Sequence, residues 1–295
     1  MSLRFNGNNI TKAYFGNNEI KKIYLNSVAV YDQTGGSPAV TLPASTVFNL
    51  EASNTDSYDG STDLQLFKNA EVSPADGSSQ SDNNATFGAT TGSSPDDPTF
   101  NGTPGVAGAY MSTDGANHFQ FLTRTDFVKG IHRSDTGDFQ IVIPFRVANL
   151  SSLQRLMANA NISSSHYGFA LQVETDGSIA YERRKADNSL TSDTILSSSS
   201  ISADTDYLLI FEVDKSTGNY STYLNSKTAT NSGTLSAFTS TTDSNNDLYL
   251  MRHPSSTTAS MNSGGRLYAC MLANTTGNIS DIVDYYNAST GITFA

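Results

Sequence analysis

The chain of 295 residues has no tryptophan and one cysteine, and only 15% of its residues are charged. Each shortage excludes something. A lone thiol, Cys270, can form neither an intrachain disulfide nor an all-cysteine metal site. Its flanks, "RLYACMLAN", read as a strand, so it is expected to be a small buried hydrophobe. Long helices with charge-paired faces cannot be built from so few lysines and glutamates. No apolar run approaches the roughly 20 residues of a membrane helix, so no membrane insertion is expected. The first residues, "MSLRFNGNN", lack the apolar core of a signal peptide, which predicts synthesis without Sec-type export. Basic residues are scarce as well. Seventeen Lys and Arg against 28 acidic residues give a net charge of -11, the wrong sign for neutralising nucleic-acid phosphates or an anionic membrane surface.

What is abundant is Ser, Thr, Asn and Gly, the material of polar turns between short strands, and the chain reads as mostly β. It opens on a small repeat. Ile10, Lys12 and Tyr14 recur ten residues later as Ile20, Lys22 and Tyr24, within "ITKAYF" and "IKKIYL", and "VAVY" follows. This predicts a three-stranded meander, too small to bury much apolar surface by itself and in need of a partner surface. "QTGGSP", Gln33 to Pro38, reads as a linker, which divides the chain into an anchoring segment 1–35 and a main domain 36–295.

Beyond the linker, Ser73 to Gly105 is so poor in apolar side chains that it is expected to be largely loop. "DFQIVIPFRV" then puts Phe139, Ile141, Ile143 and Phe145 on one face of a strand. Asp176-Gly177 marks a hairpin with a two-residue turn, "KSTG" marks a second hairpin, and "NDLYLMRH" and "GRLYACMLAN" add strands. Near the end, "NISDIVDYYNASTG" predicts a helix with Ser280 as cap, Asp281 favourable at its N-terminus, Gly291 closing it, and Ile282, Val283 and Tyr286 packed on the sheet. The spacing predicts an all-β sandwich of two antiparallel sheets.

The succession of "TVFNLEASNTDSYDGSTDLQLFKN", "GAYMSTDGANHFQFL", "FQIVIPFRV", the Asp176-Gly177 hairpin, "YLLIFEVDKSTGNYSTYLN" and the final strand and helix resembles the concanavalin A-like, laminin G-like jelly roll over residues 40 to 295. "EIKKIYLNSVAVYD" resembles the short tyrosine- and lysine-bearing strands that open many bacteriophage virion proteins. Together the two resemblances imply a tail, fibre or capsid-surface protein. Its first residues would dock on other virion proteins, and its jelly roll would face outward to bind a host-surface glycan. They also imply a homo-oligomer, trimeric in a fibre, located on the virion surface. The alternatives are a phage depolymerase and a structural decoration protein without a receptor.

Candidate residues divide by chemistry. Glu212 and Asp214 lie on one sheet face at i, i+2, but Asp214 begins the "DKSTG" turn, and no enzymatic activity is expected of the pair. The scattered histidines form no nucleophile motif. Rim loops of this fold class often hold Ca²⁺, and Asp56, Asp59, Asp243, Asn245 and Asp247 are the candidate oxygen donors. For stacking against a ligand, Tyr58, His118, Phe119 and Tyr167, with Tyr181 and Phe238, lie in or beside predicted loops. Phe139, Phe145, Tyr207, Phe211, Tyr223, Tyr249 and Tyr268 fall at strand periodicity and are expected in the core.

Overall fold

The computed structural model describes residues 41–60, 66–121, 124–160, 167–184, 187, 189–244, 246–254 and 260–295, together with the backbone of six short strands before residue 33. Those six close into three antiparallel hairpins. Arg4–Phe5 pairs with Asn8–Asn9, Ala13–Phe15 with Asn18–Ile20, and Lys22–Leu25 with Val28–Asp32. Among the described residues no ladder joins one hairpin to the next, so the expected meander is instead three separate ribbons. A two-residue connection lets each strand fold back on its immediate neighbour before it can reach a third.

Two antiparallel sheets form the rest. The first runs Thr99–Asn101, Tyr110–Ser112, Arg266–Leu267, Phe139–Val147, Thr205–Asp214, Asn219–Leu224, Asn231–Thr234. Ala269–Ala273 continues beside Phe139–Val147 and carries Thr46–Glu51 on its other flank. The second runs Leu190–Leu196, Ile179–Arg184, Phe169–Val173, Gln154–Ala158, Leu248–Leu250, Phe119–Phe121, Ala85–Phe87, Leu66–Phe67. This is the fold class expected from the sequence.

The period-two face of Phe139–Val147 turns Phe139, Ile141, Ile143 and Phe145 inward, where they join Tyr207, Leu209 and Phe211 from the paired strand and Phe119, Phe169, Leu171 and Leu250 from the opposite sheet. The other face of these first-sheet strands is buried too. Val142, Leu208, Ile210 and Met271 lie beneath the helix Ile279–Thr290, which contributes Ile282, Val283 and Tyr286 as expected. Its cap differs from expectation. Gly277 and Asn278 have φ of 102° and 58°, so the chain swings through two left-handed residues straight into the helix. Asn278 is the cap, and Ser280 is already inside the first turn. Asp281 does lie in the first turn, and Gly291, φ 67°, ends the helix.

One other expectation holds in the main, and one needs correction. The stretch Ser73 to Gly105 is largely loop, as expected, and adds two short strands, Ala85–Phe87 in the second sheet and Thr99–Asn101 in the first, with a 3-10 turn at Gln80–Asn83. A three-residue strand needs only one or two apolar side chains, too few to register against so polar a background. At Asp176-Gly177 the connection has three residues. Gly177 N–H donates to the Glu174 carbonyl at 3.0 Å and Glu174 N–H to the Ser178 carbonyl at 2.9 Å, with Gly177 left-handed at φ 77°. A type I turn followed by a left-handed glycine gives this loop.

Candidate functional site

Alternation along the second sheet sends one set of side chains into the sandwich and the next onto its outer face. Phe119, Phe121, Leu248 and Leu250 go in. Gln120 and Tyr249, direct partners across the ladder, go out and are half-buried. Around them gathers a compact polar group. Gln120 Nε2 donates to Asp247 Oδ2 at 2.7 Å, and Arg124 Nη2 lies 3.5 Å from Asp247 Oδ1. The Tyr249 ring sits 5.5 Å from the His118 ring at 33°, and Arg252 Nη1 lies 3.1 Å from His118 Nδ1.

This geometry fixes a protonation state. A guanidinium can only donate, so His118 Nδ1 carries a lone pair and the imidazole is neutral with its proton on Nε2. The 3.4 Å approach of Nδ1 to the Ala116 carbonyl is therefore no hydrogen bond. Burial, and then the Arg252 charge, lower His118 to about 4. Tyr249 is pushed up, first by burial and then by Asp247, against the pull of Arg252 and Arg124. Farther along the same face the group grades into a buried ion pair, with Arg155 Nη1 3.0 Å from Glu182 Oε2 and Gln172 opposite Arg155 in the ladder. One ring, one amide, one carboxylate and two guanidinium groups thus meet on a partly open surface. Such a mixture suits a ligand with hydroxyl groups along its edge and a flat apolar face.

Of the residues singled out in the sequence, His118 and Asp247 belong to this group, though His118 is only 1% exposed. Phe119 is fully buried, 5.0 Å from both the Phe67 and Phe87 rings, and presents no face to a ligand. Its neighbour in sequence points out only because alternation reverses at each residue. Tyr58 is half-buried between Phe87 and Phe100, at 5.3 and 4.7 Å. Tyr167 is half-buried at the start of Phe169–Val173. Tyr181 is core, and Phe238 is gripped between Arg183 at 4.2 Å and Lys215 at 3.6 Å. Tyr249, expected in the core, faces outward, and Tyr223 likewise leaves the main core to donate its hydroxyl to Glu212 Oε1 at 2.9 Å.

The metal candidates do not converge. Among the described residues no group of three or more His, Cys, Asp and Glu could hold an ion. Asp243 pairs with Arg133 Nη1 at 2.5 Å and Asp247 with Arg124, while Asp56 and Asp59 sit exposed in the 54–60 turn. Asn245 lies outside the described residues. So do Ile10 and Lys12, and of Tyr14, Ile20, Lys22 and Tyr24 the description covers the paired backbone alone. Glu212 is committed to structure, since Tyr223, Gln140 Nε2 and the Gly277 N–H all donate to it. Asp214 accepts from Ser216 and Thr217 within its own turn. A concavity of about 220 Å³ opens elsewhere, beside Thr46–Glu51, lined by Asn49, Asn54, Glu71 and Tyr285 among others. Behind it Glu51 is saturated by Tyr285, Asn49 and Ser53.

No family model matches the sequence, and no curated protein matches it. Solved structures do resemble the fold. The binding domain of botulinum neurotoxin serotype D aligns with a TM-score of 0.56 at 9% identity, over 82% of this chain and 51% of that one. The serotype G binding domain gives 0.54 at 13%, over 82% and 50%. The botulinum neurotoxin DC binding domain, solved in complex with SialylT, gives 0.52 at 11%, over 83% and 52%. This chain spans about half the length of those structures. The shared feature is the β-sandwich jelly roll.

Proposed function

We propose that the jelly roll is a glycan-adhesion module without hydrolytic activity, displayed outward on a bacteriophage particle and held there by residues 1–35. The observation that carries the adhesion reading is the outward pairing of Gln120 and Tyr249 with Asp247, Arg124 and Arg252 around them. That the neurotoxin domains of the same fold are binding domains is in keeping with it. The saturation of Glu212 and the turn role of Asp214 speak against a pair of free catalytic carboxylates. On a glycan array the protein is expected to give selective signals, and Tyr249→Ala to weaken them about tenfold or more by removing the ring. Blank arrays, or binding indifferent to Tyr249→Ala, would remove this reading.

The particle-docking reading rests on the Ile-Lys-Tyr repeat and on the hairpins into which the segment folds. An isolated two-stranded hairpin is at best marginally stable in water, so such ribbons gain most by adding to a neighbouring protein. Copies grouped on one particle would multiply weak single-site glycan contacts. Deleting residues 1–35 is expected to abolish incorporation into particles while the remaining sandwich stays folded. Undiminished incorporation would leave the segment without this role.

A further inference from the structure

The outer face of the second sheet gathers Arg124 and Arg252 around Tyr249, on a chain whose net charge is -11, with Asp243 and Asp96 acting on the group from farther away. Asp247 is the carboxylate beside Tyr249, and it is shared between the Gln120 amide and a long contact from Arg124. Arg124 has a side chain only 8% exposed, yet its Nε and Nη1 are buried without a hydrogen-bond partner among the described residues. Arg252 pairs with no described carboxylate. Its Nη1 spends a proton on neutral His118, and its Nε is likewise buried without a partner. Two guanidinium groups flank one phenol, and three of their N–H-bearing nitrogens lack acceptors. Leaving a buried charged donor unpaired is costly, and the cost is recovered when an anionic acceptor arrives. A guanidinium presents paired N–H groups in the geometry of a carboxylate.

We infer that the ligand of this face is an acidic glycan, whose sugar carboxylate is received by Arg124 and Arg252 beside the Tyr249 ring. The inference deepens the adhesion reading and rests on it. A neutral sugar would satisfy the ring, Gln120 and Asp247 but leave the arginine nitrogens as they are. A carboxylate on the same sugar offsets the charge of both guanidinium groups, and reaches their nitrogens where the side chains swing outward. Asp247 competes for Arg124, so it weakens the anion site while serving a hydroxyl.

The test uses the full chain with matched probes, lactose against sialyllactose and cellobiose against its glucuronate-bearing counterpart, titrated by calorimetry. The acidic member is expected to bind about tenfold or more tightly, with a preference that shrinks as salt is raised. Arg252→Gln and Arg124→Gln should each erase most of that preference. Asp247→Asn, which frees Arg124 and leaves the fold's core untouched, should increase it several-fold and so tests the idea independently should an arginine variant fold poorly. Equal binding of neutral and acidic members, or a preference unmoved by all three substitutions, would overturn the acidic assignment while leaving glycan adhesion standing. Failure of both members of both pairs to bind would overturn the adhesion reading with it.

Discussion

Lowering the pH from 7 to 4 is expected to bring the sandwich to the edge of unfolding. His118, His132 and His253 are each at most 3% exposed, and burial before all else lowers each to about 4 from an ordinary 6.5. Between those two values the unfolded chain binds protons that the folded chain refuses, so stability is lost as pH falls through that window and is fully lost below it. His132 shows why. Its Nε2 lies 3.0 Å from the Thr242 carbonyl and donates to it, while Nδ1 is buried without a partner among the described residues. A second proton would sit on that orphan atom, near Lys215 and Arg133. At an order of 1–3 kcal/mol per histidine, the sum rivals the whole stability of an ordinary domain. Unfolding at pH 5 should take up about two to three protons, and His132→Gln should lower that count by about one. An uptake near zero would show that the three rings are charged in the folded protein.

Just above neutrality the same driver, burial of a base, gives the same slope. Lys215 opens the turn that "KSTG" announces, and its Nζ donates to the Ile131 carbonyl at 2.9 Å and to that of Arg133, over the Phe238 ring. Burial, then the nearby Arg183, lowers it to about 7. Lys215 therefore adds stability as pH rises from 7 toward 9, above which Cys270 and the buried tyrosines, whose burial holds their protons, turn the slope downward. The profile that falls steeply toward acid thus climbs a little past neutrality before it turns over.

Elements whose instructions are local were legible in the sequence. Phe139, Ile141, Ile143 and Phe145 alternate over a strand long enough for the period to be unmistakable, and both hairpin glycines mark their turns. Ile282, Val283 and Tyr286 needed only helical spacing. The site was less legible. Read strictly, "LYL" at 248–250 places Tyr249 opposite its leucines, and only the habit of counting an aromatic in a strand as core assigned it inward. Nothing nearby in sequence foretells that Arg252 meets His118, 134 residues away, or that Arg124 meets Asp247. Arg183 makes the same point from inside. It follows Ile179 and Tyr181 on the buried side, tolerated because Asp193, the Ser236 carbonyl and Phe238 supply a carboxylate, an acceptor and a ring from distant strands and loops.

The largest effect of a single methyl group is expected at Gly177. Its φ of 77° already disfavours any side chain by about 1–2 kcal/mol. Gly218, in the "KSTG" turn, has nearly the same φ, 73°, and a Cβ there would meet nothing closer than 3.7 Å. A Cβ on Gly177 would lie 2.4 Å from the Ile201 carbonyl oxygen, a backbone atom that cannot swing aside. That carbonyl is held because the segment 199–201 is laced to the hairpin, with Ser199 N–H donating to the Asp176 carbonyl at 2.8 Å and Ile201 N–H to that of Gly177 at 2.9 Å. Relieving the clash means breaking this lacing, which ties the connection after Leu190–Leu196 to the turn before Ile179–Arg184. Gly218→Ala should therefore cost only the conformational term, about 1 kcal/mol, while Gly177→Ala should cost about 3 kcal/mol or more. Urea unfolding of the two variants side by side separates the contributions, because their backbone strain is matched and only the steric contact differs. Equal losses would mean that the 199–201 segment yields freely, and that the tight turn is set by φ alone.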